Sequence, residues 1–351
     1  MSYDALLFIS FGGPEGREDV IPFLENVLRG RNVPRERLLE VAEHYEHFGG
    51  VSPINAQVRA LMDAVRTELD RHQIALPIYW GNRNWKPYLP EALRQMADDG
   101  VRQAVGFVVS AYSSYSSCRQ YRENIEAAQQ QVGPQAPAVD KVRVFYNHPD
   151  FIAANVDRVR DAIEKLPPAA QSRPFVAFTA HSIPSSMAAG CDYEKQLTET
   201  ARLVAAELGL VADQWKLVYQ SRSGRPQDPW LEPDICDFIG TLDPRETPGL
   251  VIAPIGFLSD HIEVLFDLDE QAAEAAQARG LAMSRAGTVG THPRFVTMIR
   301  KLIEERLDPA APRESVGLYG PREDVCAATC CPAPVQLARP GRPGAESAPR
   351  G

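Results

Sequence analysis

The chain has 351 residues, with 37 Lys+Arg against 46 Asp+Glu and a formal charge of −9; that length suits two domains at roughly 100–200 residues each. The acidic balance argues against phosphate-backbone binding, so no nucleic-acid partner is expected. Hydrophobic residues at 44% and charged residues at 24% fit a folded globular chain, and no apolar run approaches the ~20 residues that cross a bilayer, so no transmembrane segment is expected.

The first ten residues lead straight into a strand-like run without the basic flank or cleavage site of an export signal, which points to the cytoplasm. From there, short β-rich runs alternate with longer segments of helical period, the pattern of a parallel sheet wrapped by helices. Strands are expected at Leu6–Phe11, Ile78–Asn82, Ala104–Ala111 and Val142–Tyr146, then at Phe175–Ala180, Lys216–Gln220, Leu250–Phe257 and Met283–Val289. Helices are expected over Glu18–Arg29, Pro53–His72, Leu89–Asp99, Pro149–Lys165, Tyr193–Leu208, Ile262–Arg279 and about Pro293–Arg306. The expectation is therefore an α/β chain of two similar doubly wound domains, 1–150 and 151–315, each with a four-stranded parallel sheet and with an active cleft between them. A Cys-containing extension at 316–331 follows, and the Pro/Gly/Ala-rich residues 332–351 lack the apolar content to fold and read as a disordered tail.

Ligands of open parallel sheets bind beyond the carboxyl ends of the strands. The first such loop, Phe11-Gly12-Gly13-Pro14, lacks the G-x-G-x-x-G spacing, and Pro14 removes a donor that a pyrophosphate would need, so it reads as a tight turn beside a pocket. His181 immediately follows a buried strand, where an imidazole can take a proton or ligate a metal. After the Leu250–Phe257 run come Asp260, Glu263 and Asp267. Asp260 and Glu263 fit a capping box, whereas Glu263 and Asp267, four apart, put two carboxylates on one helical face that could attract a divalent cation or pass protons. His44 and His47 have a helix spacing that could bind metal, but with no further ligand nearby a solvated helix end is the better reading. Tyr112, Tyr115, Tyr121 and the four tryptophans supply flat apolar surface, chiefly for packing, with some suited to a pocket for a large planar ligand.

Several blocks agree, in order, with one family. Phe11-Gly12-Gly13-Pro14, Gly49-Gly50-Val51-Ser52-Pro53-Ile54, Ala180-His181-Ser182-Ile183-Pro184, Tyr219-Gln220-Ser221-Arg222-Ser223-Gly224, Pro229-Trp230-Leu231 and Ser259-Asp260-His261-Ile262-Glu263-Val264-Leu265 resemble the signatures of the ferrochelatases, from about residue 5 to 310. The resemblance implies a chelatase-like fold, monomeric or weakly dimeric, that inserts Fe²⁺ into a porphyrin and releases two protons in haem biosynthesis. By match, His181 and Glu263 hold the iron and accept pyrrole protons, which of them is ligand and which base being open, and Asp267 relays protons outward. Where many members carry a further carboxylate eight residues after Glu263, this chain has Gln271, with Glu270 beside it.

Ser113–Glu123 resembles the version found in high-GC Gram-positive bacteria, whose enzymes metallate coproporphyrin III. That match makes coproporphyrin III the expected substrate, with protoporphyrin IX as the alternative, and gives Ser52 and Tyr121 contacts to the tetrapyrrole. Positions that carry arginines in other coproporphyrin-type members read Leu28 and His44 here, leaving Arg29, Arg31 and His44 as candidate propionate partners. Some ferrochelatases hold a [2Fe–2S] cluster on one internal and three C-terminal cysteines; Cys118 with Cys326, Cys330 and Cys331 supplies four thiolates for it, a four-thiolate zinc site or reduced thiols being the alternatives. Cys191 and Cys236 read as small buried hydrophobes. A cobalt-inserting chelatase and a non-catalytic tetrapyrrole carrier of the same fold are the competing functions.

Overall fold

The structure is a computed structural model that describes residues 3–333 apart from 31, 32, 224 and 226. Residues 334–351 of the expected tail at 332–351, and the candidate Arg31, lie outside the described residues. Four parallel strands, β1 (Ala5–Ser10), β2 (Ile78–Asn82), β3 (Gln103–Val108) and β4 (Ala138–Lys141), form one sheet in the order β2-β1-β3-β4. The second sheet, β5 (Pro174–His181), β6 (Trp215–Gln220), β7 (Gly249–Ala253) and β8 (Ala282–Arg285), repeats that order as β6-β5-β7-β8. Because parallel strands need crossovers, each sheet is covered by helices on both faces, and the central β1 and β7 are buried at every position.

The helices that matter for the site are α1 (Arg17–Val27), α2 (Arg35–His47), α3 (Ile54–Arg71), α4 (Leu89–Asp98), α5 (Gln120–Val132), α6 (Pro149–Lys165), α7 (Tyr193–Glu207), α8 (Ile235–Thr241), α9 (Ala272–Ala278) and α10 (Pro293–Leu307). The expected helix at Ile262–Arg279 is instead a helical turn at Ile262–Val264, a π-helical segment at Leu265–Gln271 and then α9. A second π-turn, Tyr115–Arg119, precedes α5. Such wide turns are frequent at functional sites.

The fourth strand departs from expectation. Val142–Tyr146 is not a strand; β4 lies just before it, and the run is irregular chain. Its apolar residues belong to the core between the halves, where Phe145 stacks on Phe107 at 5.6 Å and meets Phe151 and Phe295 at 5.7 and 6.1 Å. The strand itself, Ala-Val-Asp-Lys, is a half-exposed edge, so its pattern is the weaker one. Of the other strands, β2 has the expected bounds, β1 is shifted back by one residue, β5 and β6 are longer than expected, and β3, β7 and β8 end earlier, β7 before Pro254, whose ring removes a ladder donor. Gly256 brings the loop after β7 against β5: a Cβ there would stand 2.6 Å from Ala180 Cα.

The crossing between halves is also polar. Arg143, fully buried, forms a bidentate pair with Glu305 of α10 at 2.7 and 2.8 Å and donates to the Glu314 carbonyl at 2.8 Å. Nearby, His148, Asp150 and Glu314 crowd donor atoms of the kind that bind metals. Lys301 already bridges both carboxylates, at 2.8 Å to Asp150 and 2.7 Å to Glu314, so an ammonium does a cation's work there. Burial, followed by the Arg143 charge, pushes His148 down to about 3 and keeps it neutral. Beyond α10 the chain is not a loose linker. Val316 N–H donates to the Asn147 carbonyl at 2.9 Å, Asn147 to the Tyr319 carbonyl at 2.7 Å, and Leu318 N–H to Glu199 at 2.7 Å, strapping the extension across the junction. Arg143→Met, which leaves Glu305 buried without its partner, is expected to cost about 3–5 kcal/mol in chemical denaturation, and Arg143→Met/Glu305→Leu to recover most of it.

Candidate active site

His181 is the last residue of β5 and pairs in register with Gln220, the last of β6. Its ring Nδ1 is hydrogen-bonded to the Ser182 carbonyl. A carbonyl can only accept, so the ring proton sits on Nδ1 and the Nε2 lone pair is free. Nε2 faces Glu263 Oε2 at 3.6 Å. Two acceptors aimed at each other call for a proton or a cation between them. The Tyr193 hydroxyl braces this corner by donating to the His181 carbonyl at 3.1 Å.

Glu263 is not part of a capping box. His261, not Asp260, borders the short helix, and no side chain caps it. Asp260 instead pairs with Arg285 at 3.1 Å and takes Gln57 Nε2 at 3.4 Å, because a guanidinium at the end of β8 is a stronger partner than backbone N–H groups. Glu263 is left half exposed. His261, absent from the sequence-based candidates, stands 3.9 Å from Glu263, and burial holds it below its ordinary value.

Asp267 points back to the end of β6. Its carboxylate is hydrogen-bonded to the Ser221 hydroxyl and lies 3.5 Å from Gln220 Nε2. Burial, followed by repulsion from Glu263 and partly offset by the Ser221 bond, pushes it up to about 6. Ser221 holds φ +61°, an unfavourable backbone conformation for a serine and one that turns its hydroxyl to this carboxylate. The Gln220 Oε1 atom is buried without a hydrogen-bond partner.

A cavity of about 270 Å³ opens beside Glu263 and Asp267, bounded by Arg37, His44 and Tyr45 of α2 on one side and by Ser221, Cys236, Glu263 and Asp267 on the other. It therefore lies between the two halves. His44 does not belong to a metal pair with His47 and is not a solvated helix end. Its ring stacks on Phe266 of the π segment at 3.8 Å and 18°, while His47 meets Glu270 at 2.6 Å. Gln271 lines the cavity and Glu270 is committed to His47. The structure thus brings Glu263, Asp267 and His44 to this cavity, and His181 to Glu263, 3.6 Å away.

It does not bring the other candidates to that cavity. Ser52 is buried beneath Gly13, Tyr121 is buried in the packing of the first sheet with Arg83 5.6 Å from its ring centre, and Arg29 is exposed beyond α1, bonded to Asn26. Sequence reasoning missed Arg37, Tyr45 and Cys236. Arg37 and Tyr45 are revealed only once α2 folds over the cleft, and Cys236 only once α8 is placed at its wall.

The four candidate cluster cysteines converge on a second cavity of about 270 Å³, together with Arg119, Arg122 and Lys141. Cys330 and Cys331 place their sulfurs 3.5 Å apart, and Cys118 and Cys326 share a hydrogen bond that, with the Lys141 and Arg122 charges, draws Cys118 toward the thiolate and leaves the proton on Cys326. Arg119 donates to the Ala328 and Cys330 carbonyls at 2.6 and 3.2 Å, and Arg122 to the Cys326 carbonyl at 3.4 Å. Cys191 is half-buried, with its thiol directed at the Met187 carbonyl, 3.2 Å away.

The fold is shared with SirB from Bacillus subtilis, solved with Fe³⁺, at a TM-score of 0.56 and 10% identity over 87% of this chain and 98% of that one. A protein of Rhodopirellula baltica named ferrochelatase is 57% identical over 330 residues, 94% of this chain and 93% of the relative. A coproporphyrin III ferrochelatase of Streptomyces griseus subsp. griseus is 49% identical over 366 aligned positions, 98% and 97% of the two chains. The ferrochelatase family model matches residues 3–307, and the chain belongs to the ferrochelatase family.

Proposed function

We propose that this enzyme inserts ferrous iron into coproporphyrin III, with His181 and Glu263 as the residues that meet the metal. The observation that carries this is the facing pair: an imidazole Nε2 whose lone pair is freed by the Nδ1–H bond to Ser182, opposite a half-exposed carboxylate at 3.6 Å. Fe²⁺ as substrate finds one nitrogen and one oxygen ligand there, and as the metal enters the ring the same two groups are the nearest bases for the pyrrole protons. Asp267, held near neutrality by burial, is suited to pass protons on, because it can exist in either protonation state at the working pH. Since Gln271 carries no charge and Glu270 is paired, the relay ends at Asp267.

The choice of ring is supported by the name of the Streptomyces griseus relative and by cations at the cleft. Four propionates favour charged or hydroxyl partners, and Arg37 lines the cavity beside His44. We also infer a [2Fe–2S] cluster on Cys118, Cys326, Cys330 and Cys331. The donor set fits it: soft thiols in two close pairs, one already drawn toward the thiolate, at the wall of a cavity rimmed by cations. When bound, the cluster supplies one-electron chemistry and a link between the π-turn of the first half and the extension. Reduced thiols are the form a cytoplasmic enzyme would keep.

Anaerobic addition of Fe²⁺ to protein with coproporphyrin III or protoporphyrin IX, followed by the porphyrin absorption bands, tests the reaction: fast loss of free coproporphyrin is expected, and a preference for protoporphyrin would overturn the substrate. His181→Ala should lower turnover by at least about a hundredfold while the ring still quenches intrinsic fluorescence on binding. Asp267→Asn should separate stability from activity. Because the folded carboxyl is raised above its unfolded 3.8, its ionised form is penalised above about pH 6, so the variant gains about 1–2 kcal/mol there while kcat falls. The gain shrinks as pH drops through that window and is absent below 3.8. Cys330→Ser should lose visible absorption together with bound iron and acid-labile sulfide.

A further inference from the structure

Lys141 ends β4 at the wall of the thiol cavity. Its ammonium stands 3.3 Å from the Cys118 carbonyl and 3.5 Å from the Cys118 sulfur, and among the described residues it forms no ion pair with a carboxylate. Its neighbour Asp140, which also lines the cavity, is taken up by Tyr3, Gln103 and Arg306. The three arginines that line the cavity are engaged differently, Arg306 by Asp140 and Asp324. Arg119 and Arg122 bind the carbonyls of Ala328, Cys330 and Cys326, and Arg119 also pairs with Glu123, so they dock the extension. Of these four cations, Lys141 alone is hydrogen-bonded to a sulfur.

We propose that Lys141 is a positioning residue that sets the reduction potential of the [2Fe–2S] cluster by acting as the charge partner of the Cys118 ligand. The inference rests on the cluster reading above. Addition of one electron takes a four-thiolate [2Fe–2S] centre from a dianion to a trianion, and a fixed cation beside a ligand sulfur stabilises the more negative state more strongly. Lys141 therefore raises the potential. The half-buried setting of the side chain limits solvent screening of this effect.

The test is an EPR-monitored redox titration of the full-length, cluster-loaded protein with dithionite and mediators, comparing wild type with Lys141→Met, Lys141→Arg and Arg122→Met. Lys141→Met is expected to lower the ratio of reduced to oxidised cluster about tenfold at a fixed potential, about 59 mV for a one-electron couple. Lys141→Arg should hold the wild-type value, and Arg122→Met should move it less than Lys141→Met does. Should Lys141→Met fail to retain the cluster, Lys141→Gln, which keeps a donor for the Cys118 carbonyl, takes its place with the same expected direction. A Lys141→Met or Lys141→Gln centre that titrates at the wild-type potential overturns the proposal, as does an equal shift in Arg122→Met, which would reduce the effect to general charge. A wild-type protein without bound iron, sulfide or the EPR signal of a reduced [2Fe–2S] centre overturns the cluster reading and this inference with it.

Discussion

The packing of Phe145 against Phe107, Phe151 and Phe295 is the contact on which the rest of the molecule depends. A core of this kind is dense and resists deformation, so it fixes the two sheets relative to one another at the base of the cleft. The Arg143–Glu305 pair lies in the same crossing and adds direction to what the aromatic rings supply as bulk. Both are prerequisites for the catalytic corner, because Arg37 and His44 come from the first half while Glu263, Phe266 and Asp267 come from the second.

Repetition of one strand order in both sheets gives the halves different tasks. The end of β5 and the π segment after β7 carry the imidazole and the carboxylates, and the first half contributes the cover, α2. The π-turn at Tyr115–Arg119 serves the thiol cavity in a comparable way, setting Cys118 beside the extension while Arg119 grips its backbone. The extension reaches the second half as well: Pro332 lies against Gly190, in the loop that follows His181. The thiol cavity and the iron corner are thus tied to a common loop at opposite ends.

Much of this was legible from residue order. His181 was identified from its position after an apolar strand, and the 263/267 spacing put both acids on the same face, since strand ends and helix periodicity are local properties. The four sulfurs were legible as a set by type, though not their pairing, which depends on where residues 326–331 dock. What escaped was tertiary. Val142–Tyr146 is as apolar as a strand because it crosses a core, and burial alone does not distinguish the two. Asp260 has the spacing of a cap, yet Arg285, 25 residues away in sequence, takes it. Arg37 and Lys141 look like ordinary surface cations until the fold shows that one faces the cleft and the other a sulfur.

The stack of His44 on Phe266 and the contact of His47 with Glu270 tie α2 to the π segment beside a space of about 270 Å³, so the first half's cover and the second half's carboxylates are held as one wall. Any widening of that space must part the two contacts, and a ligand that needs it wider binds with its intrinsic affinity reduced by the fraction of molecules standing open.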